Sequence, residues 1–315
     1  MTLTIGVDVG GTKVAGGVVD DTGTVLVQTR RDTPAEDVGK TRDVIIEVVQ
    51  ELATGRPIEA VGIGAAGWID AGRSTVLFAP NLAWRDEPLR DYVGAATGLP
   101  VIVENDANVA AWAEFRYGAA RDADDSMVMF TIGTGVGGGI VLNGQLLRGA
   151  NGVAAELGHM MTVPDGHLCG CGRLGCIEQY ASGSALVRFA RAAARQAPHR
   201  ATALLELAVG DAEAITGRMV TAAAQHGDPV SVEAFAQVGR WLGTSLADMA
   251  QILDPQVLVV GGGVVEAGDL LMGPTRRSFI DALAQRGRLP VAEIRPAELG
   301  NTAGVIGAAD LARRS

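Results

Sequence analysis

Three cysteines and one histidine mark the part of this chain best equipped for metal chemistry. Cys169, Cys171 and Cys176 are the only cysteines, they lie within eight residues of one another, and His159 stands ten residues upstream of the first. One imidazole and three thiolates make a full tetrahedral set for a structural Zn²⁺. An odd cysteine count and a C-x-C pair argue against a disulfide framework. His167, two residues before Cys169, is the competing nitrogen ligand. The plainer alternative, three buried loop thiols, is disfavoured because Gly and Arg between them leave little core to enter.

Two glycine-rich segments have the character of phosphate loops. Asp8-Val9-Gly10-Gly11-Thr12-Lys13 follows a strand pattern. Its glycines let backbone N–H groups approach an anion, while Thr12 adds a hydroxyl and Lys13 a charge. Asp8 would repel phosphate unless Mg²⁺ lay between them. Gly133-Thr134-Gly135-Val136-Gly137-Gly138-Gly139 holds the equivalent place in the second half. Either loop alone could be a tight turn that needs glycine; two in matching positions point to a nucleotide triphosphate. Neither has the Walker A or Rossmann spacing. Gly261-Gly262-Gly263 follows a strand and is expected to precede a helix, a place for adenosine or a bare turn.

Glu104-Asn105-Asp106 falls where a strand pattern ends and a helix pattern begins, and carboxyl ends of strands are where α/β folds hold ligands. Asp106 could be an N-cap. It could equally be a general base that takes a proton from a hydroxyl attacking a γ-phosphate. Glu156 and Glu178 flank the cysteine loop, as sugar-facing carboxylates or as solvated loop charges. A zinc-bound His159 would keep its other ring nitrogen for a hydroxyl.

The elements expected to position these groups repeat. Strands are expected over 3–9, 13–20 and 24–30, then a helix over 37–53, a strand over 58–64, a helix over 86–97, a strand over 101–104 and a helix over 107–117. The series restarts with strands at 127–132, 138–142 and 145–147, the last two joined at Asn143-Gly144, a hairpin signal. Helices over 182–197, 203–209, 212–225 and 231–252 follow, then a strand over 256–260, a helix over 268–285, a strand over 291–295 and a last helix over 302–313. This predicts a duplicated α/β fold with two domains sharing a cleft: 1–117, with 301–315 packing back on it, and 118–300, carrying the cysteine loop.

Bulk properties narrow the class. The chain has 315 residues, 48% of them hydrophobic and 20% charged, and a net charge of −10. That charge disfavours nucleic-acid partners, whose phosphates it would repel. There is no apolar run of 18 residues and no signal-like start, so no membrane association is expected and a cytoplasmic location is. The strand pattern begins almost at once after Met1, so no N-terminal DNA-binding segment is expected.

Taken together, DVGGTK (8–13), END (104–106), IGTGVGGGI (132–140), ELGH (156–159), CGCGRLGCIE (169–178) and LDPQVLVVGGG (253–263) resemble the ROK family of bacterial sugar kinases and repressors, and within it the glucokinase type. The resemblance covers essentially the whole chain. It implies an actin-like ATPase (ribonuclease H-like) fold and ATP-dependent phosphorylation of the 6-hydroxyl of glucose. It also implies zinc held by the E-x-G-H histidine and three cysteines, which selects His159 over His167. By position, it makes Asp106 the base and puts Asn81, Asn105, Glu156, His159, Glu178 and Gly67 on the sugar. Asp8, Gly10, Gly11, Thr12, Lys13, Thr134, Gly135 and Gly262 fall on the side of ATP and Mg²⁺. The loop GAAGWID (64–70) lacks the proline that many relatives carry before the second glycine. A homodimer or homotetramer is implied as well. Competing expectations are a kinase for N-acetylmannosamine, N-acetylglucosamine or fructose, and a non-catalytic sugar sensor.

Overall fold

The structure is a computed structural model that describes residues 2–284 and 291–315. Strands β1 (Leu3–Val9), β2 (Lys13–Val19) and β3 (Val25–Asp32) form an antiparallel meander, followed by helix α1 (Val38–Ala53) and β4 (Ile58–Ala65). Three short strands come next, β5 (Trp68–Ile69), β6 (Val76–Phe78) and β7 (Arg85–Glu87), then α2 (Leu89–Thr97), β8 (Val101–Asn105) and α3 (Asp106–Tyr117). The first sheet runs β3-β2-β1-β4-β8, with β4 parallel to both β1 and β8.

The second series is β9 (Met127–Ile132), β10 (Val136–Leu142), β11 (Gln145–Leu146), α4 (Glu178–Ala181), α5 (Gly183–Gln196), α6 (Thr202–Leu207), α7 (Gly217–Gln225), α8 (Pro229–Leu253), β12 (Val257–Gly261), α9 (Asp269–Ala282), β13 (Glu293–Pro296) and α10 (Ala303–Arg313). Its sheet runs β11-β10-β9-β12-β13. Counted within each half, both sheets have the order 3-2-1-4-5, which is the duplication expected from the repeated pattern.

The chain divides into two compact units. One comprises Met1–Val128, Gly138–Ala155 and Ala297–Ser315; the other comprises Met129–Gly137 and Glu156–Pro296. In the first, α1 covers one face of the sheet, where a Cβ on Gly16 would meet Val48 and Leu52. On the other face α10 lies so close that a Cβ on Gly6 or Gly62 would fall 1.8 or 1.9 Å from the carbonyl oxygen of Val305 or Ala308. Asp310 of α10 accepts from Trp112 Nε1 (2.8 Å) and Tyr117 Oη (2.6 Å) of α3. These bonds fix α3, and hence its first residue Asp106, against the sheet.

Several elements differ from the sequence expectation for local reasons. The β5-β6-β7 sheet occupies a stretch read partly as loop, and the helix expected from 86 begins at Leu89. Pro88 precedes it, and the residue before a proline is driven to extended backbone, so Glu87 ends a strand. The helix expected over 212–225 is broken at Ile215, with Thr216 capping a separate α7. The one expected over 182–197 is preceded by the short α4. After Gly262 the chain makes a 3₁₀ turn, Gly263–Ala267, before α9. The end of the helix expected over 268–285 falls at Gln285, outside the described residues. Among those residues, no helix is long and apolar enough to cross a membrane.

Candidate active site and metal centre

In the first unit, the parallel strands β1, β4 and β8 end together: Asp8 is level with Gly64, and Gly64 with Glu104. Their carboxyl ends therefore carry Asp8, the Gly10–Lys13 turn, the 65–67 loop and the Asn105–Asp106 pair to one edge. The turn is closed by Gly10 N–H donating to Lys13 O (2.9 Å), and Thr33 Oγ1 donates to Gly10 O (2.8 Å). Thr12 and Lys13 are left exposed. Gly11 packs on Asn81, where an added Cβ would sit 3.1 Å from the asparagine Cβ. Asn81 is itself exposed.

Asn105, not Asp106, is the N-cap of α3. Its Oδ1 accepts from Asn108 N (3.0 Å), and its Nδ2 donates to Gly67 O (3.0 Å). That second bond joins two residues that only the family resemblance had grouped. Gly67 has φ 141°, and a Cβ there would lie 2.2 Å from Phe78 O, so the loop needs glycine whatever ligand it meets. Asp106, the first residue of α3, remains partly exposed, with Oδ1 accepting from Ala107 N (2.9 Å). Desolvation raises its pKa, against hydrogen bonds from Ala107, its own N–H and Asn105 that lower it. Asp8 is raised from 3.8 to about 6, first by burial and then by the Asp106 charge. Two carboxylates that disfavour each other's ionisation suit a place where a divalent cation or a proton is exchanged.

Sequence reasoning assigned no role to Glu104, Arg73 or Arg148. Glu104 is 1% exposed and paired with both arginines. The strand position of Glu104 was visible; its partners, 31 and 44 residues away, were not.

The second unit holds the other group. In the 133–137 loop, Gly133 N–H donates to Gly135 O (3.0 Å), Gly183 N–H to Gly133 O (2.8 Å) and Ser184 Oγ to Thr134 O (2.7 Å). The loop is thus docked on the N-terminus of α5. Glu178 Oε2 accepts from Val136 N (3.1 Å), and a Cβ on Gly135 would lie 2.3 Å from that oxygen. Gly158 of ELGH packs against the same loop, 1.9 Å from Val136 O if a Cβ is added. A cavity of ≈ 990 Å³ opens beside Thr134, lined by Ser184, Arg191, Arg218, Gln225, Gly263 and Glu266 among others. Its size is at the upper end for small-molecule sites, roughly 300–1,000 Å³. Gly262, at φ 87°, turns the chain into this wall, and a Cβ there would meet Ile132.

His159, Cys169, Cys171 and Cys176 bring one ligand atom each to within 4.8 Å of all the others. Cys169 Sγ is 3.6 Å from His159 Nδ1, and Cys171 Sγ is 3.6 Å from Cys176 Sγ. Tetrahedral zinc with bonds of about 2.3 Å sets sulfurs about 3.8 Å apart, so the donor set fits the ion. Burial and the neighbouring sulfurs push Cys176 up to about 12, and burial raises Cys169. A divalent cation would offset that cost of thiolate formation. Burial also acts on Cys171, but hydrogen bonds from Arg173 N and the other thiols bring it below its usual value. The His167 ring instead packs at a tilt on Tyr180 (5.5 Å between centroids), and its backbone N–H donates to Tyr180 Oη (2.9 Å). Nε2 of His159 faces Glu156 Oε2 at 3.9 Å. Glu178 Oε1 accepts from Cys169 Sγ (3.4 Å), so Glu178 joins the metal loop to the glycine loop.

The chain is similar to known proteins over nearly its whole length. The ROK family model matches residues 4–315. The chain is 50% identical to a glucokinase of Streptomyces coelicolor over 99% of this chain and 98% of the relative. It is 35% identical to an N-acetylmannosamine kinase of Yersinia pseudotuberculosis over 99% and 98%. A crystal structure of a ROK family glucokinase from Streptomyces griseus in complex with glucose and AMPPNP superposes with a TM-score of 0.88 at 50% identity, covering 99% of this chain and 100% of that one. The duplicated α/β architecture is thus the actin-like ATPase fold of sugar kinases, and the chain belongs to the ROK family.

Proposed function

We propose that this protein transfers the γ-phosphoryl group of ATP to the 6-hydroxyl of glucose, giving glucose 6-phosphate and ADP, with Asp106 as general base. The observation that carries the chemical part is the placement of Asp106. It stands at the carboxyl end of β8 on the first turn of α3, partly open, with its basicity raised by desolvation. The substrate pair is supported by the 50% identity, over nearly the whole chain, to glucokinases, one of them crystallised with glucose and AMPPNP.

In this reading Asp106 accepts the hydroxyl proton as the oxygen attacks phosphorus, and backbone donors of the glycine loops hold the phosphate charge. Gly10, Gly11, Thr12 and Lys13 in the first unit, and Thr134 and Gly135 in the second, are assigned to phosphate. Asp8 is assigned to Mg²⁺, whose chemistry is to neutralise charge on the phosphate oxygens. The cavity beside Gly262 is assigned to adenosine. Sugar hydroxyls are assigned to Gly67, Asn81 and Asn105, and to Glu156, His159 and Glu178. Zinc, held by His159, Cys169, Cys171 and Cys176, would stiffen the loop that carries the last three. We assign the functional domains to 1–117 with 301–315 and to 118–300. A cytoplasmic location suits a reduced cysteine set, and a homodimer or homotetramer follows the family.

The test is coupled ADP release with Mg-ATP against glucose, mannose, fructose, N-acetylglucosamine and N-acetylmannosamine. A strong preference for glucose is expected. Preference for an acetamido sugar would replace glucose as the named substrate. No turnover with any sugar would overturn the kinase reading in favour of a sensor.

A further inference from the structure

We propose that Glu104, clamped by Arg73 and Arg148, is a positioning residue that holds the Asn105–Asp106 turn and the 67–73 loop in the geometry that sugar binding and proton abstraction require. The inference rests on the sugar-kinase reading and adds to it residues that do not touch the sugar.

Glu104 uses both carboxylate oxygens. Oε1 accepts from Asn105 N (3.0 Å) and Asn108 Nδ2 (3.1 Å). Oε2 accepts from Arg73 Nε (3.2 Å) and Arg148 Nε (2.6 Å). The first pair pins the peptide at the β8–α3 junction and the first turn of the helix that begins at Asp106. The second pair reaches two other segments. Arg148 also donates through Nη1 to Ala71 O (2.8 Å) and through Nη2 to Asp70 O (2.9 Å). Arg73 O accepts from Val103 N (3.0 Å), so Arg73 is held at both backbone and side chain. One carboxylate therefore connects the turn with Asn105 and Asp106, the loop that follows Gly67, and the segment that leads in sequence to Glu156. Asn105 Nδ2 closes the loop of contacts through Gly67 O.

Two features point to positioning rather than to stability. Arg73 has φ 53°, a left-handed conformation that a non-glycine residue adopts at a cost and that clusters at functional sites. A fully buried carboxylate with two guanidiniums is also a poor source of net stability, because desolvation cancels most of the attraction. What such a cluster contributes is directional restraint: four donors in fixed places. Burial works against the Arg73 charge, and Glu104 opposes that effect, so the three charges act as one unit.

The experiment uses the full chain and four variants: Asp106→Asn as control, Glu104→Gln, Arg148→Gln and Arg148→Lys. Turnover by the wild type and its loss in Asp106→Asn test the kinase reading separately. With that in hand, Glu104→Gln and Arg148→Gln are expected to lose kcat/KM for glucose on the order of 10²-fold, the cost of misplacing reacting groups by about 1 Å. KM for ATP should be unchanged, and Arg148→Lys should recover part of the loss. Hydrogen exchange reads the geometry without any substrate: the Asn105 amide, which donates to Glu104, should exchange faster in Glu104→Gln, whose neutral amide is a weaker acceptor and no longer anchors both arginines, while amides of β12 keep their protection. Retained Asn105 protection overturns the proposal whichever sugar is used. So does wild-type kcat/KM in the folded variants, or a decline of glucose and ATP parameters together in proportion to unfolded protein. If Glu104→Gln does not fold, Arg148→Gln decides through the kinetic readout, since it leaves the Glu104–Arg73 pair and the Asn105 N–H bond to Glu104 in place.

Discussion

Asp8 stands at the end of β1 with its pKa raised to about 6, by burial first and by the Asp106 charge second, and Asp8→Asn removes the charge while nearly preserving the shape. A rise from 3.8 to about 6 corresponds to about 3 kcal/mol held against the ionised form. The folded chain binds this proton more tightly than the unfolded one. The stability associated with Asp8 is therefore greatest below pH 3.8 and is lost as pH rises through about 6. At pH 7.5, in buffer without Mg²⁺, the variant should be more stable than the wild type by up to about 3 kcal/mol. The advantage should fall to roughly half near pH 5 and vanish below the unfolded pKa. Urea unfolding of both proteins at a series of pH values reads this directly. Turnover should be lost in the same variant, a trade of activity for stability expected where a site retains an unfavourable charge. Added Mg²⁺ should narrow the gap by stabilising the wild type alone. A variant no more stable at pH 7.5, or an advantage that does not shrink toward pH 5, would refute the account of Asp8 as a desolvated carboxylate.

The other expectations concern the base and the metal. Asp106→Asn should bind glucose in calorimetry with near-normal affinity yet lose about 10²–10⁴ in turnover. In the wild type kcat/KM should fall on the acid side as the raised Asp106 and Asp8 take up protons, and the variant's residual rate should keep only the Asp8 part of that limb. For zinc, metal analysis of purified protein should find one ion per chain. A thiol-competing chelator should release it, lower the melting temperature and abolish glucose binding while the first unit keeps its secondary structure. Metal-free protein with unchanged melting and activity would remove the structural role.

The candidate groups were legible in one dimension because several of them are local. His159 and the three cysteines lie within eighteen residues, and a tight hairpin (Leu168 bridged to Leu174, Met161 to Cys176) is enough to gather these ligands. Both glycine loops are turns between adjacent strands. The duplication was legible too, since each half repeats the alternation of extended and helical periodicity. The β5–β7 sheet was not, because strands of two or three residues carry no period, and Glu87 is made extended by Pro88.

What the amino-acid order determined by itself was the set of groups: a zinc-ready cysteine loop, two phosphate-type loops, and a carboxylate at a strand end. Each rests on contacts spanning a few residues, where spacing alone limits the geometry. Only the tertiary structure decided how these groups are held and tuned. Alignment of β1, β4 and β8 buries Asp8 and brings Asp106 near it, and burial first and that charge second raise Asp8 to about 6. Folding puts Gly67 O on Asn105 and two distant arginines on Glu104. Desolvation and long-range ion pairing depend on which atoms surround a charge in space, and residues 31 to 44 positions apart acquire that proximity only when the sheet is built.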